Sequence, residues 1–193
     1  MAKLDADLLS HEEIDRLLRA CSKRAPTGRR NRALIALLWR GGLRLGELLS
    51  LSPKDVDLEE FVVRIQQGKT GKRVVGLDSS TAALVEQWIV SRRKLKISGR
   101  APLFCTLAGG KINQSYIRHL LPRLAKKAGI ERRVHAHGLR HRMAIDLVQE
   151  GADLLTVRDL LGHASAATTQ TYLSRIGASD AVEFGRQREW SVG

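Results

Sequence analysis

Three short polar clusters in the C-terminal part of the chain hold the residues best suited to chemistry. They are His137-Gly-Leu-Arg140, Leu161-Gly-His163 and Thr168 to Tyr172. Two segments, Met143 to Gln149 and Leu154 to Leu161, separate them and carry apolar residues at helical three and four spacing. Because the clusters fall at the ends of these predicted helices, we expect their polar side chains to meet in one pocket.

The residue types in this pocket favour an oxyanion over a metal ion. Arginine offers planar, permanently charged donors for phosphate oxygens, histidine can donate hydrogen bonds or transfer protons, and tyrosine can act as a covalent nucleophile. His135, His137 and His141 resemble a zinc cluster, but His135 precedes the predicted helix and no cysteine or carboxylate completes the set nearby. We therefore expect a phosphodiester ligand and no metal.

The order H-x-x-R, L-L-G-H and T-T-x-x-Y resembles the C-terminal signature of the tyrosine recombinases, the phage-type integrase family that includes Xer-type enzymes. The family also carries an arginine in a G-L-R-x-x-E-L context and a lysine in a β-hairpin. Here Gly42 to Leu48 supplies the arginine, Arg44, and Gly68 to Lys72 supplies the lysine. The resemblance extends from about Leu9 to about Arg175.

The resemblance implies a reaction in which Tyr172 attacks a DNA phosphodiester. The products are a 3′-phosphotyrosyl bond and a free 5′ hydroxyl, which then attacks a partner strand. Arg44 and Arg140 would bind the non-bridging oxygens and stabilise the growing charge. Lys69 would protonate the leaving 5′ oxygen, with Lys72 as the alternative general acid.

His137 and His163 would assist proton transfer and phosphate binding, and Glu47 would hold Arg44 in place. The plainer alternative for Arg44 is a surface salt bridge to Glu47, one turn further on. Because the covalent link keeps the phosphodiester energy, the implied reaction needs no cofactor, neither ATP nor a metal ion.

Two other motifs suggest nucleotide or metal chemistry that their surroundings in the sequence do not favour. Gly68-Lys69-Thr70 suggests a nucleotide-binding phosphate loop, but the glycine which that motif requires at position 63 is replaced by Val63. An acidic cluster from Asp55 to Glu60 follows a Ser-Pro turn signal, so a solvated turn is favoured over a two-metal site.

Length and charge bound the class of protein. The chain has 193 residues, 43% of them apolar, which is enough for one substantial core. We expect one catalytic domain over residues 1–193, with a core at about 9–175 and a tail at 176–193. Lys and Arg outnumber Asp and Glu by 33 to 20, a net charge of +13 that favours a polyanionic partner over a merely basic soluble protein only when the motifs are added. By resemblance that partner is double-stranded DNA.

The N-terminal sequence and the hydropathy pattern indicate where in the cell the protein is expected. No secretory signal and no run of about 18 apolar residues is found, so a cytoplasmic protein without membrane association is expected. Cys21 and Cys105 have no metal-ligand spacing and are predicted to be buried free thiols.

The predicted fold is mainly α-helical with one small antiparallel β-sheet (α+β). A capping box at Ser10 begins the first helix, residues 23–30 are predicted to be a loop, and a buried helix follows over 31–40. A β-hairpin with Val62, Val63 and Ile65 opposite Val74, Val75 and Leu77 precedes a helix at 80–96.

A further helix, predicted over 113–128, is expected to kink or split at Pro122. By resemblance it lies against the DNA major groove. Its candidate DNA-binding residues are Arg118, Arg123, Lys126 and Lys127. A solvated charged face is the alternative for this surface. Lys72 in the predicted hairpin is a further DNA-binding candidate.

Members of the family usually carry a separate N-terminal helical domain that completes a clamp around DNA. Only some nine residues precede the first predicted helix here, so we expect either a shortened chain or a naturally short protein. With only half of the clamp, the chain is expected to be mostly monomeric in solution. By resemblance it would assemble as a tetramer on DNA. The rival functions are relaxation of DNA as in type IB topoisomerases, and DNA binding without catalysis.

Overall fold

The computed structural model describes residues 8–66 and 71–162, apart from the Leu154 side chain. Within these residues helices form most of the fold, and three short strands form one antiparallel sheet. The helices are α1 (His11–Arg19), α2 (Pro26–Trp39), α3 (Leu45–Ser50), α4 (Ser79–Lys94), α5 (Gln114–Lys127), α6 (Ala136–Gln149) and α7 (Leu154–Leu161). The strands are β1 (Val56–Asp57), β2 (Val62–Ile65) and β3 (Arg73–Gly76). The predicted fold class is confirmed.

Helix α2 lies at the centre of the packing. Its residues from Ala33 to Leu38 are all buried, as the apolar run predicts. The prediction of a loop over 23–30 is wrong in its second half, because α2 already begins at Pro26. Proline is well suited to a first helical position, where the missing N–H would have no helical partner.

The three strands pair in sequence order. β1 pairs antiparallel with β2, and β2 with β3, with Val63 opposite Val75. Val63 and Val75 are buried on one face, whereas Val74 is exposed on the other. Leu77 follows β3 rather than forming part of it, and residues 67–70 at the hairpin tip lie outside the described residues.

Helix α5 runs unbroken through Pro122, so the predicted kink or split is wrong. Pro122 cannot donate a hydrogen bond to the carbonyl of Arg118, but both residues are exposed. Water can replace that bond, which explains why the helix tolerates the proline. The opposite side of α5 is buried through Ile117, Leu120 and Leu121.

The buried apolar residues form one large cluster around α2 and a smaller one between α6 and α7. The smaller cluster consists of Met143, Ala144, Val157 and Leu161. Cys21 and Cys105 are buried free thiols, as predicted. Among the described helices none is both long and apolar enough to span a membrane.

Candidate active site

A glycine turn after α2 brings the first arginine to the site. Gly42 adopts a left-handed backbone with φ of +57°, which reverses the chain before α3. A β-carbon at Gly42 would lie 2.2 Å from the sulfur of Met143 in α6 and 3.2 Å from a methyl carbon of Leu161 in α7. The absence of a side chain at Gly42 therefore allows this turn to pack directly on α6 and α7.

Arg44 stands at the N-cap of α3 with an extended backbone. Its backbone N–H donates to Glu47 Oε2 at 2.8 Å, and its side-chain Nη1 donates to Glu47 Oε1 at 2.9 Å. The predicted contact between the two residues is therefore present. Glu47 is 4% exposed and the Arg44 side chain is 29% exposed, so the salt bridge is part-buried, with its carboxylate covered and its guanidinium reaching toward solvent.

Glu47 also binds a second arginine that the sequence did not single out. Arg73, the first residue of β3, donates from Nη1 to Oε1 and from Nη2 to Oε2 of Glu47, each at 2.8 Å. Burial by itself would raise the pKa of Glu47, but the hydrogen bonds and charge from Arg73 and Arg44 outweigh it and lower the pKa to about 2. Glu47 is therefore ionised throughout the physiological pH range.

The N-terminal turn of α6 supplies the next two predicted residues. His135 caps this helix, accepting the Gly138 N–H on Nδ1 at 3.1 Å. His137 lies in the first turn and is exposed, while Arg140 lies one turn later and is 5% exposed. Desolvation on the covered side of the ring, with the charge of Arg140, lowers the pKa of His137, which favours a neutral imidazole.

Arg44 and Arg140 converge on the end of α7. Arg44 Nη2 donates to the carbonyl of Gly162 at 2.5 Å, while Arg140 donates to the carbonyl of Leu161 and, at 2.5 Å, to that of Gly42. Gly162 ends α7 in the left-handed conformation, a common way for helices to stop. Two guanidinium groups from distant parts of the chain are thus held side by side, with His137 one turn from Arg140.

Similarity to known proteins identifies the family of this chain. The model of the phage integrase family matches residues 7–176. The chain belongs to this family. Tyrosine recombinase XerD of Ralstonia nicotianae is 36% identical over 167 residues, covering 85% of this chain and 54% of that protein. The chain spans about half the length of the curated relatives it matches.

Solved structures of family members share the fold. The crystal structure of XerA recombinase is 28% identical with a TM-score of 0.79, covering 95% of this chain and 64% of that one. The XerH site-specific recombinase bound to palindromic difH substrate, a post-cleavage complex, is 29% identical with a TM-score of 0.75. It covers 92% of this chain and 53% of that one.

Three of the predicted catalytic residues, Lys69, His163 and Tyr172, lie outside the described residues. Lys72, the alternative general acid, is exposed and directly precedes β3. The structure therefore brings together Arg44, Glu47, His137 and Arg140 of the predicted set. The catalytic roles assigned to all of these residues stay predictions.

The predicted DNA-binding residues of α5 divide into two groups. Arg118, Arg123 and Lys126 are exposed on the side of the helix that faces away from the core. Lys127 is also exposed, but its Nζ donates to the carbonyl of Ala20 at the end of α1, at 2.7 Å. Lys127 thus has a structural partner at the edge of this face, which makes it the weakest of the four candidates.

Arg73 is the residue at the site that the sequence analysis missed. A signal for it was present, because alternate residues of a strand face the same side. Val75 is buried, so Arg73, two residues earlier on the same strand, must also point inward. An arginine on the buried face of a strand needs an acceptor, and Glu47 is that acceptor.

Proposed function

We propose that this chain is the catalytic domain of a site-specific DNA recombinase that cuts and rejoins strands through a phosphotyrosyl bond at Tyr172. The observation that carries the proposal is the convergence of Arg44 and Arg140 beside the exposed His137. Guanidinium groups match the geometry of phosphate oxygens, and two of them can neutralise the charge that grows on a phosphoryl centre. The relatives named as recombinases support the same reaction over type IB topoisomerase activity or binding alone.

The proposed chemistry assigns each step to a residue of this chain. The Tyr172 hydroxyl attacks phosphorus, a bond forms from its oxygen to the phosphate, and the 5′ oxygen of the next nucleotide leaves. Lys69 gives that oxygen a proton, with Lys72 as the alternative donor, and His137 with His163 assists proton transfer and phosphate binding. Religation reverses these steps with the 5′ hydroxyl of a partner strand.

The proposed DNA surface is the exposed side of α5, through Arg118, Arg123 and Lys126. Each phosphate that such residues neutralise releases counterions, so affinity should fall steeply with salt. We propose that the chain is monomeric when free and forms a tetramer on DNA. We further propose that the whole chain acts as one catalytic domain.

The decisive experiment measures covalent attachment to DNA. Duplexes bound by the protein at low salt are selected from random sequences, nicked near the candidate cleavage position so that the released fragment diffuses away, and incubated with protein. An adduct that survives denaturing electrophoresis is expected for wild type and is expected to be absent for Tyr172→Phe. Binding of Tyr172→Phe should be close to wild type, because only one hydroxyl is removed.

Tyr116→Phe is the matched control, since Tyr116 is the one other tyrosine in the sequence. Its hydroxyl accepts a hydrogen bond from Arg30 Nη2 at 2.6 Å in the body of the domain, so its loss should lower stability without removing the adduct. Adduct formation that survives Tyr172→Phe, or that is lost in Tyr116→Phe while the protein stays folded, would disprove the assignment.

A further inference from the structure

We propose that Arg73 is a positioning residue for DNA cleavage, which fixes Arg44 by occupying the other acceptor sites on the carboxylate that both arginines share. This inference rests on the proposed function, because its effect is measured on phosphodiester cleavage. Nothing in the catalytic pattern of the sequence includes Arg73.

All of the hydrogen-bond acceptor sites on the Glu47 carboxylate are occupied. Glu47 accepts four hydrogen bonds, two from Arg73 and two from Arg44, with donor-acceptor distances of 2.8 to 2.9 Å. An ionised carboxylate offers about four lone-pair sites. Arg44 therefore has one place to bind on Glu47, and its Nη2 is left to reach Gly162.

Removal of Arg73 would free both oxygens of Glu47 on one side. Arg44 could then rotate to form a two-pronged pair with the carboxylate, a geometry that arginine and carboxylate groups favour. Such a rotation would draw Nη2 away from Gly162 and from the neighbouring Arg140 guanidinium. A shift of about 1 Å in a positioning group can slow a reaction by roughly 10²-fold.

Arg73 is placed for this contact at a cost to its own hydrogen bonding. Its side chain is 11% exposed, and its Nε is buried without a hydrogen-bond partner in the described part of the chain. Buried polar groups in native proteins nearly always find partners, so an orphaned Nε calls for a reason. The end-on approach accounts for it, because both terminal nitrogens of Arg73 are directed at both oxygens of Glu47.

The sheet also contains a matched control. Arg64 on the neighbouring strand β2 donates from Nη2 to Asp57 Oδ2 at 3.0 Å, and both side chains are partly exposed. The four described hydrogen bonds of Glu47 involve neither residue. Arg64→Ala removes an arginine-carboxylate pair from the same sheet without altering the shared carboxylate. The Arg64→Ala variant therefore distinguishes the loss of the Arg73–Glu47 contact from a general destabilisation of the sheet.

The experiment measures the single-turnover rate of adduct formation for wild type, Arg73→Ala and Arg64→Ala, below the thermal unfolding transition of every variant. Arg73→Ala should be slower by roughly 10²-fold, and Arg64→Ala should stay within about twofold of wild type. Arg73→Lys keeps the charge but cannot bind both oxygens in a fork, so its rate should fall between Arg73→Ala and wild type. It also serves if Arg73→Ala fails to fold.

Two further readouts distinguish positioning from simple support of the fold. Without Arg73, burial acts on Glu47 with less opposition, so the pKa of Glu47 rises and its protonated form becomes populated as the pH falls. The rate deficit of Arg73→Ala should therefore grow as the pH falls, whereas that of Arg64→Ala should not. Glu47→Gln removes the shared charge, so adding Arg73→Ala to it should slow cleavage no further.

The outcomes separate the two proposals. If wild type forms no adduct on any selected duplex, the proposed function fails and this inference fails with it. If wild type forms an adduct and folded Arg73→Ala is as fast as Arg64→Ala, the inference alone is wrong. It is equally wrong if the deficit is independent of pH, or if the Arg73→Ala effect is fully additive with Glu47→Gln.

Discussion

Arg92 and Arg140 are both buried arginines, 3% and 5% exposed, and both donate to backbone carbonyls. The two arginines differ in where their hydrogen-bond acceptors lie along the chain. The acceptors of Arg92 all lie in one loop, the carbonyls of Ser98, Ala101, Pro102 and Leu103 with the sulfur of Cys105. The guanidinium also lies over the ring of Trp88, its centre 6.0 Å from the ring centroid.

Arg140 instead joins separate segments of the chain. Its described acceptors are the carbonyl of Gly42 before α3 and that of Leu161 in α7, and His137 one turn away reaches the surface. Burial of an arginine is therefore no guide to catalysis. What distinguishes the proposed catalytic arginine is that it lies where several elements meet beside an exposed group able to transfer protons.

The largest difference between the two arginines is expected in the rate of DNA cleavage. Arg140→Ala should slow adduct formation by about 10³-fold, because a preorganised charge aimed at the transition state is lost. Arg92→Ala should cleave at nearly the wild-type rate per folded molecule, since the described hydrogen bonds of Arg92 all go to residues 98–105 and none goes to the proposed site. Single-turnover rates normalised to the folded fraction test both statements, and similar rates for the two variants would remove the distinction.

The next effect is expected on stability. Arg92→Ala should lower the free energy of unfolding by about 3 kcal/mol, because several buried carbonyls lose their donor at once. Urea denaturation measures the change. Arg93→Ala is the control, since Arg93 is the exposed neighbour and its loss should cost no more than about 0.5 kcal/mol. Equal losses in the two variants would show that the Arg92 contacts contribute nothing.

The smallest effect concerns the turn that holds Arg140. Gly42→Ala should cost about 2 kcal/mol and also slow cleavage, because a left-handed alanine is strained and its β-carbon would displace Met143. Gly129→Ala shares the left-handed backbone, with φ of +64°, but its β-carbon would meet nothing within 4 Å. It should cost only about 1 kcal/mol of backbone strain, with cleavage unchanged.

Unfolding curves and adduct rates for both glycine variants test this prediction together. The difference between them isolates the contact of the turn with α6. If Gly42→Ala and Gly129→Ala behave alike in both assays, the packing of the turn against Met143 does not position Arg140.

Sequence patterns predicted the helices and the sheet where the periodicity was strong. Helix α7 has the bounds expected from its apolar spacing, and the run from Ala33 to Leu38 is buried as expected. Pro26 was misinterpreted as part of a loop, because proline interrupts a helix interior yet is well tolerated in the first turn. Local sequence does not distinguish these two positions without knowledge of where the helix starts.

The site was predicted in part. The family resemblance implied that Arg44, Glu47 and Arg140 belong to one site, and the structure shows Arg44 bound to Glu47 with Arg140 beside it. The sequence could not show that Arg92 is buried, since its acceptors are backbone carbonyls, which every residue carries. Nor did motif matching find Arg73, whose role depends on which face of β3 packs inward.

The sequence separations between these arginines and their acceptors determine when each contact can form during synthesis. The acceptors of Arg92 lie within 13 residues of it, whereas Arg140 reaches back 98 residues to Gly42 and Arg44 reaches forward 118 to Gly162. Short loops close at little entropic cost, so the Arg92 loop can form soon after it leaves the ribosome. The two arginines of the proposed site cannot be held together until residue 162 has been synthesised, and the proposed nucleophile follows later still. An unfinished chain therefore carries most of the proposed reactive groups before they can be held together and before the proposed nucleophile is present.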